Sequence, residues 1–474
     1  MKARGVLIIL IIIFISKNAF CFNISSFNPI GNSLKEIKKD IPNLDIKGFL
    51  ENETDLNLHE RSYATQKIEW LAEMEFRYKL SDNKKIVNIY NYLYDSTFDW
   101  DAKSEFSPAT EKELERYHNT EKRILRELYL EWALNNWKLI LGKQQVVWGK
   151  VDGRKVLDML HPEDFREGPW DASMDDWRYT RIPLWMANIS WIGELYNFQF
   201  LWIPDFEESP LIPEEWIWGF KRRPNPSINT KILDSIKPDE GSLEDHQIAV
   251  KFGFERKEWD VAFVYFYGWS SNPVFFRKDV IMPSKPTDPA TLVLEPRYER
   301  VHRFGLTLDK SFSFLGHDWV GRIEYLYKKN DYISTNNEPL NEDGQVKRDK
   351  LLTSFALETD FFIDWNFLLT IIPEYTFGSV DGLRYLPARI PLHRWENNYS
   401  LTITKNFYYN RATFSLTISQ GDYGDGRLRP RIFYKLSDFI TLSMGAHFFW
   451  GGDDTLIGQF SRNDELEFGI KYEF

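Results

Sequence analysis

The sequence predicts an all-β protein that folds as a single closed antiparallel transmembrane β-barrel of about 18 strands, with 16 strands as the alternative. Three observations indicate this class. Apolar and charged side chains alternate strictly over residues 463–474, as on the two faces of a strand. The same alternation recurs in segment after segment, and the connections between segments are in turn short and long. A sheet closed on itself in a bilayer suits this pattern, because lipid meets one face and water the other.

Composition supports a barrel and excludes other classes. Mean hydropathy is −0.43, too low for a bundle of apolar transmembrane helices. The 18 Trp, 23 Tyr and 36 Phe residues suit aromatic girdles at two lipid–water interfaces. A formal net charge of −11 argues against a nucleic-acid partner.

The first element is an export signal. Lys2 and Arg4 precede an apolar run at 6–15, which is shorter than the roughly 20 residues of a spanning helix, and a cleavage site follows at 19–21. We therefore expect residues 1–21 to be a signal peptide and the location to be the Gram-negative outer membrane. Cys21 is the one cysteine, so cleavage after it leaves no disulfide. Lipid attachment to Cys21 is the alternative, which the bulky Phe20 disfavours.

The tail and the barrel follow. Residues 22–44 are polar and contain Pro29 and Pro42, which predicts a periplasmic N-terminal tail or short helix, with a small plug as the alternative. The barrel is expected over 45–474. Its expected partners are outer-membrane lipid and lipopolysaccharide. Phe474 resembles the C-terminal aromatic residue by which outer-membrane barrels engage the barrel-assembly machinery.

Eighteen segments carry the strand pattern. In 66–80, for example, Ile68 and Trp70 lie on one face while Glu69 and Glu73 lie on the other. The predicted strands are 47–58, 66–80, 86–98, 123–133, 137–149, 181–191, 195–203, 247–254, 259–269, 300–309, 319–328, 351–362, 366–375, 395–405, 411–419, 427–436, 440–450 and 463–474.

The connections predict the orientation of the barrel. Short turns such as 81–84 and 135–136 are rich in Asn and Asp, which suits hairpins. Long connections such as 150–180 and 204–242 alternate with them. We therefore expect short periplasmic turns, long extracellular loops and both termini on the periplasmic side.

Charged residues on the inward faces are the candidate pore lining, because a charge facing lipid near the midplane costs a few kcal/mol. The candidates are Arg411, Arg427, Arg429, Arg431, Lys435, Arg322, Glu324, Glu465 and Glu467. One interpretation is a hydrated pore in which an arginine ladder guides an anionic or polyhydroxylated solute. The other is a self-neutralising network of ion pairs that only makes the barrel rigid.

The most distinctive stretch is 142–166, which begins GKQQVVWG and continues with VLDMLHPEDFR. Together with RIPLW at 181–185, it resembles a family of proteobacterial outer-membrane barrels described only as a domain of unknown function. In that family a Gly-x-Gln…Trp-Gly strand enters an Asn-Pro-x-Asp-like turn, and His161 here stands where Asn is usual. The resemblance implies an outer-membrane barrel and, by a looser likeness to polysaccharide-export and substrate-specific porins, transport.

The same stretch is the candidate constriction. Gly149 and Gly153 let the chain leave the strand and fold back. The residues that would line an eyelet are Lys150, Asp152, Arg154, Lys155, Asp158, Asp164 and Arg166. A packed extracellular loop with no role in selection is the alternative.

No cofactor or metal is expected. Residues 421–426 and 336–343 carry oxygen ligands that suit Ca²⁺, but ordinary turn chemistry explains both. His447 lies on the same face as Thr441 and Ser443, which suggests an outer-membrane lipid hydrolase as a remote alternative. The predicted function is a porin-like channel for passive, selective passage of small polar or anionic solutes, and not an enzyme. A structural or interaction barrel plugged by its own loops is the other alternative; the oligomeric state is not specified.

Overall fold

The computed structural model describes residues 28–59, 65–97, 124–151, 156–166, 178–210, 212–213, 216–219, 228–239, 241–285, 288–335, 343–361, 364–385 and 390–474. Within these residues, helix α1 (Pro29–Asp40) precedes the strands, and a 3-10 turn spans Gly458–Phe460. The strands are β1 (Leu44–Asn57), β2 (Thr65–Ser81), β3 (Lys84–Asp95), β4 (Leu125–Leu134), β5 (Trp137–Gln144), β6 (Leu184–Ile192), β7 (Tyr196–Ile203), β8 (Ile228–Ile232), β9 (Gln247–Arg256), β10 (Trp259–Trp269), β11 (Val274–Ile281), β12 (Ala290–Arg297), β13 (Arg300–Phe314), β14 (His317–Thr335), β15 (Gln345–Phe361), β16 (Trp365–Thr376), β17 (Leu383–Tyr385), β18 (Ile390–Pro391), β19 (Trp395–Phe407), β20 (Ala412–Gly421), β21 (Gly426–Lys435), β22 (Ile440–Trp450) and β23 (Glu465–Glu473).

Eighteen of these strands form a closed antiparallel barrel. Each pairs with the next in the order β1–β7, β9, β10, β13–β16 and β19–β23. Closure comes from β23, which pairs with β1 from Phe49↔Glu473 to Asn57↔Glu465. The predicted fold class and the count of 18 are confirmed, and the 16-strand alternative is wrong.

The two faces of the wall differ as the alternation predicts. On β23, Glu465 and Glu467 are 1% and 2% exposed, whereas Phe468 and Ile470 are 38% and 45% exposed. The apolar positions are therefore on the outside of the barrel and the charged positions face the lumen. In the described chain no helix combines the length and the apolar character needed to cross a bilayer.

Elements outside the wall come from the long connections. Strands β8, β11 and β12 form a separate three-stranded sheet, in which β8 runs parallel to β12. The hairpin of β14 and β15 continues to Thr335 and Gln345, beyond the predicted 328 and 351, and β17 pairs with its tip. The sequence pattern does not predict this sheet or this extension, because long-range pairing of loop segments leaves no local period.

The largest apolar cluster lies inside the barrel. Trp148, Leu157 and Leu160, which belong to no strand, pack against inward wall residues such as Leu326 and Leu352. A second cluster places Tyr179 and Trp216 on Phe49, Leu71 and Leu93 of the first three strands. Parts of two long connections therefore fold into the lumen and cover its wall.

Candidate functional site

Residues 145–151 and 156–166, here called the inner segment, follow β5 and belong to no wall strand. The strand ends at Gln144 and not at the predicted 149. Gly142 has φ of +133°, a region that favours glycine, and a Cβ there would overlap the Leu128 carbonyl. The Gln144 side chain then bonds across the wall, accepting from Asn188 Nδ2 at 3.0 Å and donating to the Met186 carbonyl at 3.3 Å. These contacts place the exit of the chain into the lumen.

His161 closes the base of the inner segment. Its Nε2 accepts a hydrogen bond from the Val146 amide at 2.8 Å, and its Nδ1 lies 3.0 Å from the Ile182 carbonyl. One ring nitrogen must accept and the other donate, so this pair of contacts suits the neutral imidazole. Burial lowers the pKa of His161 to about 4, since water cannot solvate a charged ring there.

Apolar packing holds the segment to the wall. Trp148 is 2% exposed, and its indole N–H donates to Gln199 Oε1 at 2.7 Å. Leu157 is fully buried in the same cluster as Val264 and Leu326. Burying side chains of this size contributes about 2 kcal/mol each, which offsets the entropy lost when the segment becomes ordered.

A wall carboxylate fixes the turn of the segment. Glu324 Oε1 accepts from the Lys150 amide at 2.5 Å and from the Val151 amide at 3.1 Å. Glu324 is almost fully buried between Thr307 and Ser354, its partners on the two neighbouring strands. The predicted pore-lining Glu324 thus binds backbone amides of the inner segment.

Lys150 forms the centre of a partly exposed charged cluster on the inner wall. Its Nζ forms ion pairs with Asp260 and, at 2.8 Å, with Asp309. Burial alone would lower the pKa of Lys150, but hydrogen bonds to these two carboxylates outweigh it and raise the pKa. Arg322, the strand neighbour of Asp309, pairs with Glu358 at 2.7 Å. We call Lys150, Asp260, Asp309, Arg322 and Glu358 the charged cluster; all five side chains are partly exposed.

The other predicted constriction residues are placed differently. Asp158 forms an ion pair with Arg181, and Asp164 forms one with Arg166 at 2.8 Å in which both side chains are buried. These contacts hold the segment together and do not line an opening. Asp152, Arg154 and Lys155 lie outside the described residues.

The predicted arginine ladder is divided. Arg429 and Arg431 are buried and both bind Glu467, with Nε–oxygen distances of 2.8 and 3.1 Å. Arg427 is half-buried, while Arg411 and Lys435 are exposed at the end of the wall where β20 begins and β21 ends. The structure therefore brings Arg429, Arg431 and Glu467 together as an ion-pair network, which was the second interpretation of the ladder.

Two features of the inner wall were not predicted from the sequence. The first is a buried acidic network on β1 and β2, where Lys67 lies 3.3 Å from Glu53 and 4.0 Å from Asp55. The alternation of Glu51, Glu53 and Asp55 with neutral residues was the signal for it.

The second feature is a row of hydroxyl groups on β19 and β20, here called the hydroxyl strip, which consists of Ser400, Thr402, Thr404, Ser415 and Thr417. Thr402 and Thr417 are cross-strand partners with their Oγ1 atoms 3.1 Å apart. All five are partly exposed although they share the inward face, so no described part of the chain covers them fully. Ser or Thr at every second position, opposite Leu and Ile, was the signal.

The sequence of this protein matches a known protein family over most of its length. Residues 32–474 match the family described as "Protein of unknown function (DUF1302)". The chain belongs to the DUF1302 family. The matched residues include the barrel, the inner segment and the hydroxyl strip. No curated protein matches the sequence.

Solved structures share the fold of this DUF1302 member. OccAB1 of Acinetobacter baumannii is 8% identical, with a TM-score of 0.51, and the match covers 92% of this chain and 96% of that one. The outer membrane protein opdK of Pseudomonas aeruginosa is 8% identical, with a TM-score of 0.50, over 92% and 99% of the two chains. At this identity the likeness shows the barrel fold alone.

Among the described residues, one cluster carries ligand atoms that could hold a metal ion. Ligand atoms of His447, Glu465 and Glu467 lie within 4.8 Å of one another, and all three residues are buried. Two guanidinium groups already neutralise Glu467, which disfavours a cation there. His447 is separated from Ser443 by about 13 Å of strand, too far for a base to activate a nucleophile.

Proposed function

We propose that this protein is a porin-like channel of the outer membrane through which small polar solutes diffuse passively. The observation that carries the proposal is the partly exposed polar surface that joins the charged cluster to the hydroxyl strip. Asn366 connects them: its Nδ2 donates to Glu358 Oε1 at 3.1 Å, and its strand partner is Thr404. Because these side chains are partly exposed, water and a solute have access to this surface.

The lining suggests the kind of solute. The arginines of the predicted ladder that lie deepest in the wall are neutralised by Glu467, and Lys150 and Arg322 are paired with carboxylates. The field along the pathway is therefore of mixed sign, while hydroxyl and amide groups offer both donors and acceptors. We infer that neutral or weakly charged polar solutes pass better than strongly anionic ones.

The location in the outer membrane belongs to the same proposal. The barrel presents apolar residues outward over its whole circumference, as lipid requires. Outer-membrane lipid with lipopolysaccharide and the barrel-assembly machinery, engaged through Phe474, are the expected partners.

Planar-bilayer recording tests the channel. The purified protein should give stepwise conductance, and Thr402→Trp should lower each step by about half, because an indole would narrow the path beside the hydroxyl strip. Ile403→Trp is the matched control: Ile403 is the next residue of the same strand and faces lipid, so its steps should equal those of the unmodified protein.

A barrel filled by its own loops is the second candidate. It is favoured by the two apolar clusters that cover the inner wall. Folded protein that inserts into the bilayer but gives no steps would support this candidate and remove the channel.

A further inference from the structure

We propose that α1 is an interfacial helix that lies in the periplasmic surface of the outer membrane, beside the seam where β1 and β23 close the barrel. Phospholipid would cover the apolar side of this helix. The inference rests on the membrane-spanning barrel and does not depend on channel activity.

The sequence of α1 begins and ends the helix sharply. The Asn28 side chain accepts a hydrogen bond from the Gly31 amide at 2.7 Å, and Pro29 occupies the first position. Lys38 and Lys39 lie in the last turn, where cations are favoured, and Pro42 prevents continuation. The ends of the helix are thus specified by the local sequence.

The helix has one narrow apolar side. Ile30, Leu34 and Ile37 are spaced four and three residues apart, so they lie within about 60° of one another around the axis. Ile41, the C-cap residue, continues the same line. Ile37 and Ile41 are 41% and 43% exposed, and the charged Lys35 and Glu36 are exposed too. An apolar stripe opposite a charged face is typical of helices that lie on a membrane.

One contact places the start of α1 on the lipid-facing side of the wall. The Tyr472 hydroxyl donates to Asn28 Oδ1 at 2.8 Å. Tyr472 shares its face with Phe468 and Ile470, which are exposed on the outside of the barrel. The described helix therefore begins at the outer surface of β23 and not in the lumen.

The position of Tyr472 along β23 places this contact near one end of the barrel. Tyr472 lies two residues from the C-terminal Phe474, at the end of the barrel that carries the short turns. An apolar stripe at this height continues the apolar outer wall, and lipid that covers the stripe removes its apolar surface from water, which is favourable. Lys38, beside the stripe, forms an ion pair with Asp45 at 2.8 Å and remains exposed, so its amine can also reach phosphate groups of the lipid.

Spin labelling of the full chain in single-barrel lipid nanodiscs tests the inference. Cys21 is first replaced by Ala, and a nitroxide is attached at Ile37→Cys or Lys39→Cys. These residues lie about 160° apart around the helix axis. The label at 37 should relax faster with oxygen than with a water-soluble nickel chelate, as at the lipid-facing reference Phe468→Cys, and the label at 39 should show the reverse. Ile41→Cys, at an equally exposed position of the same stripe, repeats the measurement if substitution at 37 prevents folding.

Two outcomes would overturn the inference. Strong relaxation by the nickel chelate at both 37 and 39 would mean that the stripe faces water. Protection of position 37 from both reagents would mean that a protein surface covers it, whether from this chain or from another protein.

Discussion

Single buried polar residues decide where the inner segment lies. Glu324 would be an uncompensated buried carboxylate without the amides of Lys150 and Val151, and a buried unpaired charge is costly. His161 supplies the corresponding contact at the other end, to Val146. Two residues far apart in sequence thus hold both ends of one turn.

The first prediction concerns pH. The pKa of His161 is about 4 in the folded protein and about 6.5 in an unfolded chain. Because the folded pKa is lowered, the stabilising effect is complete above pH 6.5 and is lost as the pH falls towards 4. The loss amounts to about 3 kcal/mol at most. Hydrogen exchange of residues 145–151, corrected for intrinsic rates, should rise between pH 6.5 and 4.5.

The control for this prediction is His161→Asn, which keeps a donor and an acceptor but does not titrate. Exchange in that variant should be nearly independent of pH over the same range. If acid increased exchange equally in both proteins, His161 would not be the responsible group.

At the scale of elements, side chains of the inner segment pack closely against residues of the wall strands. Leu157 packs over Gly305 of β13, where a Cβ atom would overlap the Leu157 side chain and lie 2.5 Å from Val264. The fit depends on the absence of a side chain at Gly305. The wall and the segment are therefore complementary surfaces and not merely neighbours.

The second prediction follows from this fit. Gly305→Ala should displace the inner segment by pushing Leu157 away, while the strand pairs of β13 persist, since the new methyl group points into the lumen. Packing strain of this kind costs about 1–3 kcal/mol. Channel recordings should show larger or noisier steps, and the heat-modifiable mobility of the folded barrel should be unchanged.

Gly321→Ala is the matched control, because a Cβ at Gly321 would meet its nearest neighbour at an ordinary 3.6 Å. If the conductance steps of both variants equal those of the unmodified protein, the inner segment does not shape the pathway.

At the scale of the whole molecule, closure of the barrel joins its first strand, β1, to its last, β23. The Gly48 amide donates to the Phe474 carbonyl at 3.1 Å, and the Phe474 amide donates to the Gly48 carbonyl at 2.9 Å. A Cβ at Gly48 would overlap the Glu73 carbonyl and lie 2.8 Å from the Phe474 ring. The seam therefore needs glycine beside the terminal aromatic residue.

The third prediction is that Gly48→Ala lowers the yield of closed barrel, because the Glu73 carbonyl is backbone and cannot move aside without disturbing the pairing of β1 and β2. The fraction of protein with folded, heat-modifiable mobility measures it, with Gly321→Ala as the control. A folded fraction equal to that of the control would show that the seam tolerates a side chain.

The sequence by itself determined the barrel class, the 18 strands, the two faces and the alternation of short and long connections. These follow from a period of two along each strand, which neighbouring residues reveal without any knowledge of distant ones. The motif at 142–166 also indicated an inward fold, with Lys150 as a lining residue.

Only the tertiary structure decided which charges meet and what fills the lumen. Lys150 binds Asp260 and Asp309, residues more than a hundred positions away. Arg429 and Arg431 of β21 bind Glu467 of β23, across the intervening strand β22. Alternation states that a charge faces inward but not which partner stands opposite it, because that depends on strand register and on loops that return to the wall. For the same reason the end of β5 and the uncovered hydroxyl strip became visible only when the chain was closed.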